Sequence, residues 1–120
     1  MTRALISIDY TKDFVADDGK LTAGKPAQAI EEAIARITKE AYEAGDYIFF
    51  AIDGHDEGDV FHPETKLFPP HNIKGTDGRD LYGQSKKTAV SFGWTNAIIL
   101  PFLGRIWIFV CANAGLKPLL

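Results

Sequence analysis

Acidic residues are missing from the last third of this chain. All 16 Asp and Glu fall at or before Asp80, and residues 84–120 carry only Lys86, Lys87, Arg105 and Lys117 as charged groups. Residues 1–83 hold 16 acidic against nine basic residues, a net charge of −7, whereas the tail is at +4. A step that sharp marks a domain boundary, a membrane segment or a reading-frame error. Cysteine is nearly missing too. Cys111 stands alone, which excludes an internal disulfide and fits a reducing compartment. The formal net charge of −3 gives no electrostatic case for nucleic acid. The opening MTRALISIDY has a short apolar stretch broken by Asp9. That is not a signal peptide, and the front part is expected to be cytoplasmic. A length of 120 residues allows one small domain, and a five- or six-stranded α/β sheet usually needs more chain.

What is present is clearest at the front. Ala4 to Ile8 is a short apolar run rich in β-branched residues and reads as a buried parallel strand with Asp9 at its carboxyl end. Turn chemistry at Asp17-Asp18-Gly19 marks residues 10–25 as a loop. Pro26 suits the first turn of a helix. Ile30, Ile34, Ile37 and Ala41 recur at helical spacing, with Ala33 and Ala44 beside them, and Gly45 ends the pattern. Tyr47 to Ile52 reads as a second buried strand, closed by Asp53-Gly54-His55-Asp56. Together these predict a right-handed β-α-β unit with parallel strands. Such sheets bind ligands beyond the carboxyl ends of their strands, where Asp9 and Asp53 both fall. Residues 54–83 show no periodicity. They carry His55, His62 and His71 among glycines and prolines, and a stretch of that length without its own elements is usually functional or disordered.

Asp53-x-His55 sets two candidate ligands at a strand end, and the loop adds His62, Glu64 and His71. A carboxylate with imidazoles suits Zn²⁺, Fe²⁺ or Mn²⁺. The same residues could equally be solvated in a polar loop, and Asp9 could equally be a helix cap or an ion-pair partner.

The segments ALISIDYTKDFV and YIFFAIDGHDEGDVFHPETKLFPPHNIKGTDGRDLYG resemble the nicotinamidases of the isochorismatase-like cysteine hydrolases. The resemblance covers residues 1–83. It includes the strand-end Asp, the D-x-H pair, and the F-H-P-E and P-P-H-N-x-x-G-T segments. It implies a truncated isochorismatase-like (Rossmann-like) α/β fold with three layers and a parallel sheet, intact mainly for the first β-α-β unit. It also implies hydrolysis of nicotinamide to nicotinate and ammonia. In that reaction a Cys thiolate attacks the carboxamide carbon and water then hydrolyses the thioester. An Asp shuttles the proton, a Lys completes the triad, and a divalent metal positions the pyridine ring. Carried over residue by residue, Asp9 matches the general base. Asp53, His55 and His71 match metal ligands, and Glu64 matches the fourth, with His62 as its competitor. Phe14 and Phe68 match aromatic positions that wall the substrate ring, although ordinary packing would also account for them. The implied cofactor is a divalent metal, Zn first, with Fe or Mn as alternatives. The implied partner is a small amide of the nicotinamide or pyrazinamide type, with neither nucleic acid nor membrane. Homo-oligomers are common in the family.

After Gly83 the resemblance stops. The family's next segment, of the type F-W-M-D-K-R-H-Y-S-A-F with the catalytic Lys, does not appear, nor does a nucleophile Cys at a helix start after a strand. Reading from the third base of each codon, however, residues 92–102 permit codons for W-M-D-K-R-H-Y-S-A-F, and the permitted run continues to Leu120. The expectation is therefore two parts: residues 1–83 from the family domain, and residues 84–120 as an apolar tail translated out of frame. Cys111 is then a by-product of the shifted frame, and the chain alone is expected to be inactive. The front strands are expected to keep unpaired edges, and the IIL and IWIFV runs to be β-prone. Three other readings stand beside this one. The chain could be a metal-binding or interaction module without catalysis, it could anchor in a membrane through residues 97–116, or Cys111 could be a relocated nucleophile.

Overall fold

The computed structural model describes residues 1–91, 98–102 and 106–111, with side chains through residue 90. Strand β1 (Ala4–Ile8) is followed by a single turn of helix α1 (Lys12–Val15) and another, α2 (Lys25–Gln28). Helix α3 (Glu31–Glu43) leads to β2 (Tyr47–Asp53). β1 and β2 pair in parallel, from Ala4 opposite Tyr47 to Ile8 opposite Ala51. The expected β-α-β unit is therefore present, and it places Asp9 beside the end of β2.

The helix differs from its expectation in two ways. It is interrupted at Ala29 and Ile30, so Pro26 opens the short α2 and not the long helix. The face that meets the sheet is also rotated from the isoleucine stripe. Ala35, Thr38 and Ala41 are buried, whereas Ile30 and Ile37 are exposed. Small side chains let α3 lie close to β2, and Thr38 satisfies its hydroxyl on the Ile34 carbonyl, 2.7 Å away. The stop at Gly45 is as expected. Gly45 adopts φ 77° and donates to the Tyr42 carbonyl, and Asp46 N–H reaches back to the Ala41 carbonyl, the paired bonds of a left-handed helix end.

The core lies on one face of the sheet. Ile48, Phe50 and Ile52 alternate along β2 and pack with Ala41 and Ala89, with Leu5, Tyr42 and Leu81 at the margin. Ala89 belongs to α4 (Gly83–Ser91), a helix that crosses the boundary expected after Gly83 and packs on α3. The Glu31 carboxylate accepts from Gln84 N–H at 2.8 Å, supplying an anion at the start of α4. The other face is bare at β1. Ile6 and Ile8 are 57% and 68% exposed, so β1 is not the buried strand its composition suggested. Among the described residues it is an edge strand with a helix on one side only.

The expectation of an unpaired edge on β2 is corrected. Strand β4 (Ile106–Cys111) runs antiparallel along β2, and β3 (Ile98–Phe102) pairs outside it, giving the order β1-β2-β4-β3. The β-branched and aromatic tail supplies the backbone partners that β2 would otherwise lack. The membrane-anchor reading concerns residues 97–116, of which 97, 103–105 and 112–116 lie outside the described residues. The described part of residues 97–116 is extended strand, and among the described residues no helix is long and apolar enough to cross a membrane. The Cys111 side chain lies outside the described residues, although its backbone ends β4.

Candidate metal centre and proton acceptor

The site forms where β1 and β2 end. Asp9 takes a left-handed conformation, φ 54°, which a short polar side chain tolerates better than most. Its amide donates to the Ala51 carbonyl at 2.9 Å, extending the ladder by one residue. Its carboxylate Oδ1 accepts the Asp53 N–H at 2.8 Å. Asp9 thus touches the backbone of one candidate ligand, and its second oxygen has no hydrogen bond among the described residues. Burial raises the affinity of Asp9 for a proton above that of an ordinary aspartate. The Asp53 N–H opposes this, the Asp53 and Glu64 charges add to it, and His71 counters it.

Beyond β2 the chain brings four candidate ligands together. One donor atom each from Asp53, His55, Glu64 and His71 lies within 4.8 Å of the others. His55 Nε2 is 2.6 Å from Asp53 Oδ2 and 3.6 Å from Glu64 Oε2, and His71 Nε2 is 3.5 Å from Asp53 Oδ2. The backbone holds this arrangement. His55 N–H donates to the Asn72 carbonyl and Lys74 N–H to the His55 carbonyl, so the P-P-H-N segment is stitched beside the D-G-H turn. Arg79 Nε donates to the Asp53 carbonyl at 3.1 Å. The tautomer of His71 follows from its partner. Nδ1 lies 2.8 Å from the Pro69 carbonyl, which can only accept, so Nδ1 carries the hydrogen and the Nε2 lone pair faces the cluster. An imidazole oriented this way is characteristic of metal-ligating histidines. Two imidazoles and two carboxylates are a donor set that suits Zn²⁺, Fe²⁺ or Mn²⁺.

His62 does something else. It precedes a 3-10 turn at Pro63–Lys66, and its Nδ1 accepts the Glu64 N–H at 3.2 Å. Its ring meets His55 edge-on, with centroids 4.4 Å apart. The same turn carries Glu64 into the cluster. Phe14 and Phe68 both flank His71, at ring-centroid distances of 5.3 Å and 6.4 Å. Phe68 and His71 share the walls of a cleft with Val60, His62 and Glu64. The charged groups that act most on Asp9 are Asp53, His71 and Glu64. Lys86 pairs with Asp80 and Lys12 with Asp77. Sequence reasoning did not single out Asp13, Thr11, Asn72 or Arg79, which brace the ligand loop. The signal was there for Asn72, which directly follows a candidate ligand and two prolines.

A parallel β-α-β unit with a carboxylate at one strand end and a carboxylate–imidazole cluster at the next defines an α/β domain with its site at the sheet's carboxyl edge. The comparisons with known proteins agree. The chain is 67% identical over 84 residues to the uncharacterized isochorismatase family protein PncA of Bacillus subtilis, a match covering 70% of this chain and 46% of the relative. It superposes on the pyrazinamidase/nicotinamidase of Streptococcus mutans with a TM-score of 0.75 at 72% identity, covering 79% of this chain and 52% of that one. It superposes on the nicotinamidase/pyrazinamidase PncA of Bacillus subtilis with a TM-score of 0.75 at 51% identity, covering 80% and 52%. No family model matches. Over the matched segment the chain belongs to the isochorismatase family, beside its nicotinamidases and pyrazinamidases, and it spans about half the length of these relatives.

Proposed function

We propose that this chain is the metal-holding half of a nicotinamidase-type amide hydrolase, and that by itself it binds a divalent cation without hydrolysing the amide. The observation that carries the reading is the convergence of Asp53, His55, Glu64 and His71 within 4.8 Å, next to a proton-acceptor carboxylate on Asp9. In the complete reaction a thiolate attacks the carboxamide carbon of a nicotinamide- or pyrazinamide-like substrate. Ammonia leaves, and water hydrolyses the thioester. Asp9 takes the thiol proton and returns it to the leaving nitrogen, a role that fits its raised proton affinity. Asp53, His55, Glu64 and His71 hold the metal, Zn²⁺ first, which when bound orients the substrate ring. Phe14 and Phe68, both close to the His71 ring, wall that ring. The thiol and the lysine belong to the half of the family domain that this chain does not match, and the tail after Ser91 is read as translated out of frame. A cytoplasmic setting fits the single cysteine.

The test is ammonia release from nicotinamide by the purified chain with Zn²⁺, alone and mixed with the C-terminal half of the Bacillus subtilis relative. The expected result is metal binding with no turnover alone. Turnover by the chain alone that is lost in Cys111→Ala would replace this reading with a relocated nucleophile. Sequencing the DNA past Asp80 tests the frame assignment. Codons incompatible with D-K-R-H-Y-S-A-F in the alternate frame would remove it. The second reading, a metal-binding module without catalysis, is favoured by one observation: all four donors lie within this chain.

A further inference from the structure

Asp13 is a carboxylate with no assigned role, and it is only 6% exposed. It sits on α1 and is not among the four clustered donors. Oδ1 accepts Lys20 N–H at 3.2 Å, and Oδ2 accepts Asn72 N–H at 2.8 Å. The second bond is the informative one, because the Asn72 amide belongs to the peptide that joins it to His71. Asn72 is itself fully buried and left-handed, at φ 45°. Thr11 Oγ1 donates to its Oδ1 at 2.9 Å, and its carbonyl accepts His55 N–H at 3.1 Å. Its Nδ2 is buried without a partner among the described residues, a cost that packing alone would not select. Gly78 leaves room for the carboxylate, since a Cβ there would collide with both Asp13 oxygens.

We infer that Asp13 is a positioning residue for the metal centre: through the His71–Asn72 peptide it fixes where His71 Nε2 points, and through the Asn72 carbonyl it fixes His55. The inference rests on the metal site proposed above. A carboxylate suits the position because it accepts two amide hydrogens and donates none. An asparagine would turn an NH₂ toward one of the two N–H donors. The left-handed Asn72 would then relax, and with it the ring that it follows.

The experiment compares the wild-type chain with Asp13→Asn and Gly78→Ala, the second crowding the same carboxylate from outside. Zn²⁺ affinity is measured by competition with a chromophoric chelator, and coordination by the visible absorption of the Co²⁺ form. Asp46→Asn, remote from the site, serves as a control that destabilises without touching the cluster. The expected result is a loss of about 10- to 100-fold in Zn²⁺ affinity in both site variants, the range for partners that orient a ligand, with an altered Co²⁺ spectrum, while the control keeps the wild-type affinity. Wild-type affinity and spectrum in Asp13→Asn would overturn the inference and leave the metal site standing. Failure of the near-isosteric Asp13→Asn to fold would also overturn it, by assigning Asp13 to the stability of the fold. A wild-type chain that binds no Zn²⁺ or Co²⁺ would instead overturn the metal site itself.

Discussion

Replacing His71 by alanine should abolish the stabilisation of this chain by zinc. Zn–N and Zn–O bonds of about 2.0–2.2 Å place tetrahedral donors about 3.4 Å apart. Two of the observed separations already match, 3.6 Å for His55–Glu64 and 3.5 Å for His71–Asp53. The 2.6 Å His55–Asp53 hydrogen bond has to open, and all four donor atoms already lie within 4.8 Å of one another. Because the four donors converge only in the folded chain, the free energy of binding should appear as stability. At a free zinc concentration 100 times Kd the gain is about 2.7 kcal/mol. For a chain of this size each kcal/mol moves Tm by roughly 4 °C, so the midpoint should rise by about 10 °C. His71 is buried at 4% exposure, so its removal will also lower the metal-free Tm. The quantity to compare is the zinc-induced shift in each protein, followed by circular dichroism after chelator treatment and again with zinc. Loss of a direct ligand should weaken binding by more than the ~10- to 100-fold typical of an orienting partner, and the shift should vanish at the same zinc concentration. A shift of equal size in His71→Ala would refute the assignment, and no shift in the wild type would refute the site.

Three further outcomes follow from the same geometry. In metal-free protein, burial holds the Asp9 proton more tightly in the folded state, so its stabilising contribution is complete below the ordinary carboxylate pKa and is lost as pH rises through the raised value. Asp9→Asn should therefore be more stable than wild type near neutral pH in urea titrations, and an equal or lower midpoint there would contradict the shift. Asp46 is held low first by the Arg3 backbone N–H at 3.0 Å and then by the guanidinium, so its contribution is present above the ordinary carboxylate pKa and lost as pH falls through the depressed value. Asp46→Asn should destabilise at pH 7 and flatten the acid limb of the stability curve, and an unchanged acid limb would count against that pairing. Ile48 is 1% exposed in the centre of the core, and Ile48→Ala should cost about 2–5 kcal/mol in denaturant unfolding. A cost near zero would mean that the sheet face is not the core described here.

Much of the site is legible in the sequence because it is written locally. Asp9 and Asp53 close apolar runs, and a residue that ends a parallel strand must lie at the carboxyl edge of the sheet. Asp53-x-His55 is a two-residue spacing at a strand end, so its proximity needs no tertiary information. The choice between His62 and Glu64 is not legible. They stand two residues apart in one loop, and in the fold the Glu64 carboxylate lies within the cluster while His62 Nδ1 accepts the Glu64 N–H. The buried face of α3 escapes the sequence for a related reason. Periodicity identifies the apolar stripe, but the angle at which the helix meets β2 is set by close approach through Ala35, Thr38 and Ala41, which leaves Ile30 and Ile37 in solvent. The pairing of the tail is equally hidden. IWIFV announces a strand but not its neighbour, because the partner of a β-strand is distant in sequence and any unpaired edge can accept it.

The β-α-β unit, the helix stop at Gly45 and the residue types of the candidate metal centre can be read from the chain alone, since short-range sterics and strand-end position decide these. That β4 covers the edge of β2, that the Glu64 carboxylate joins Asp53, His55 and His71 within 4.8 Å, and that Asp13 reaches across 59 residues to the peptide behind His71 are visible only in the folded chain. Each of these depends on groups far apart in the chain meeting at hydrogen-bond distance, and no local propensity encodes that.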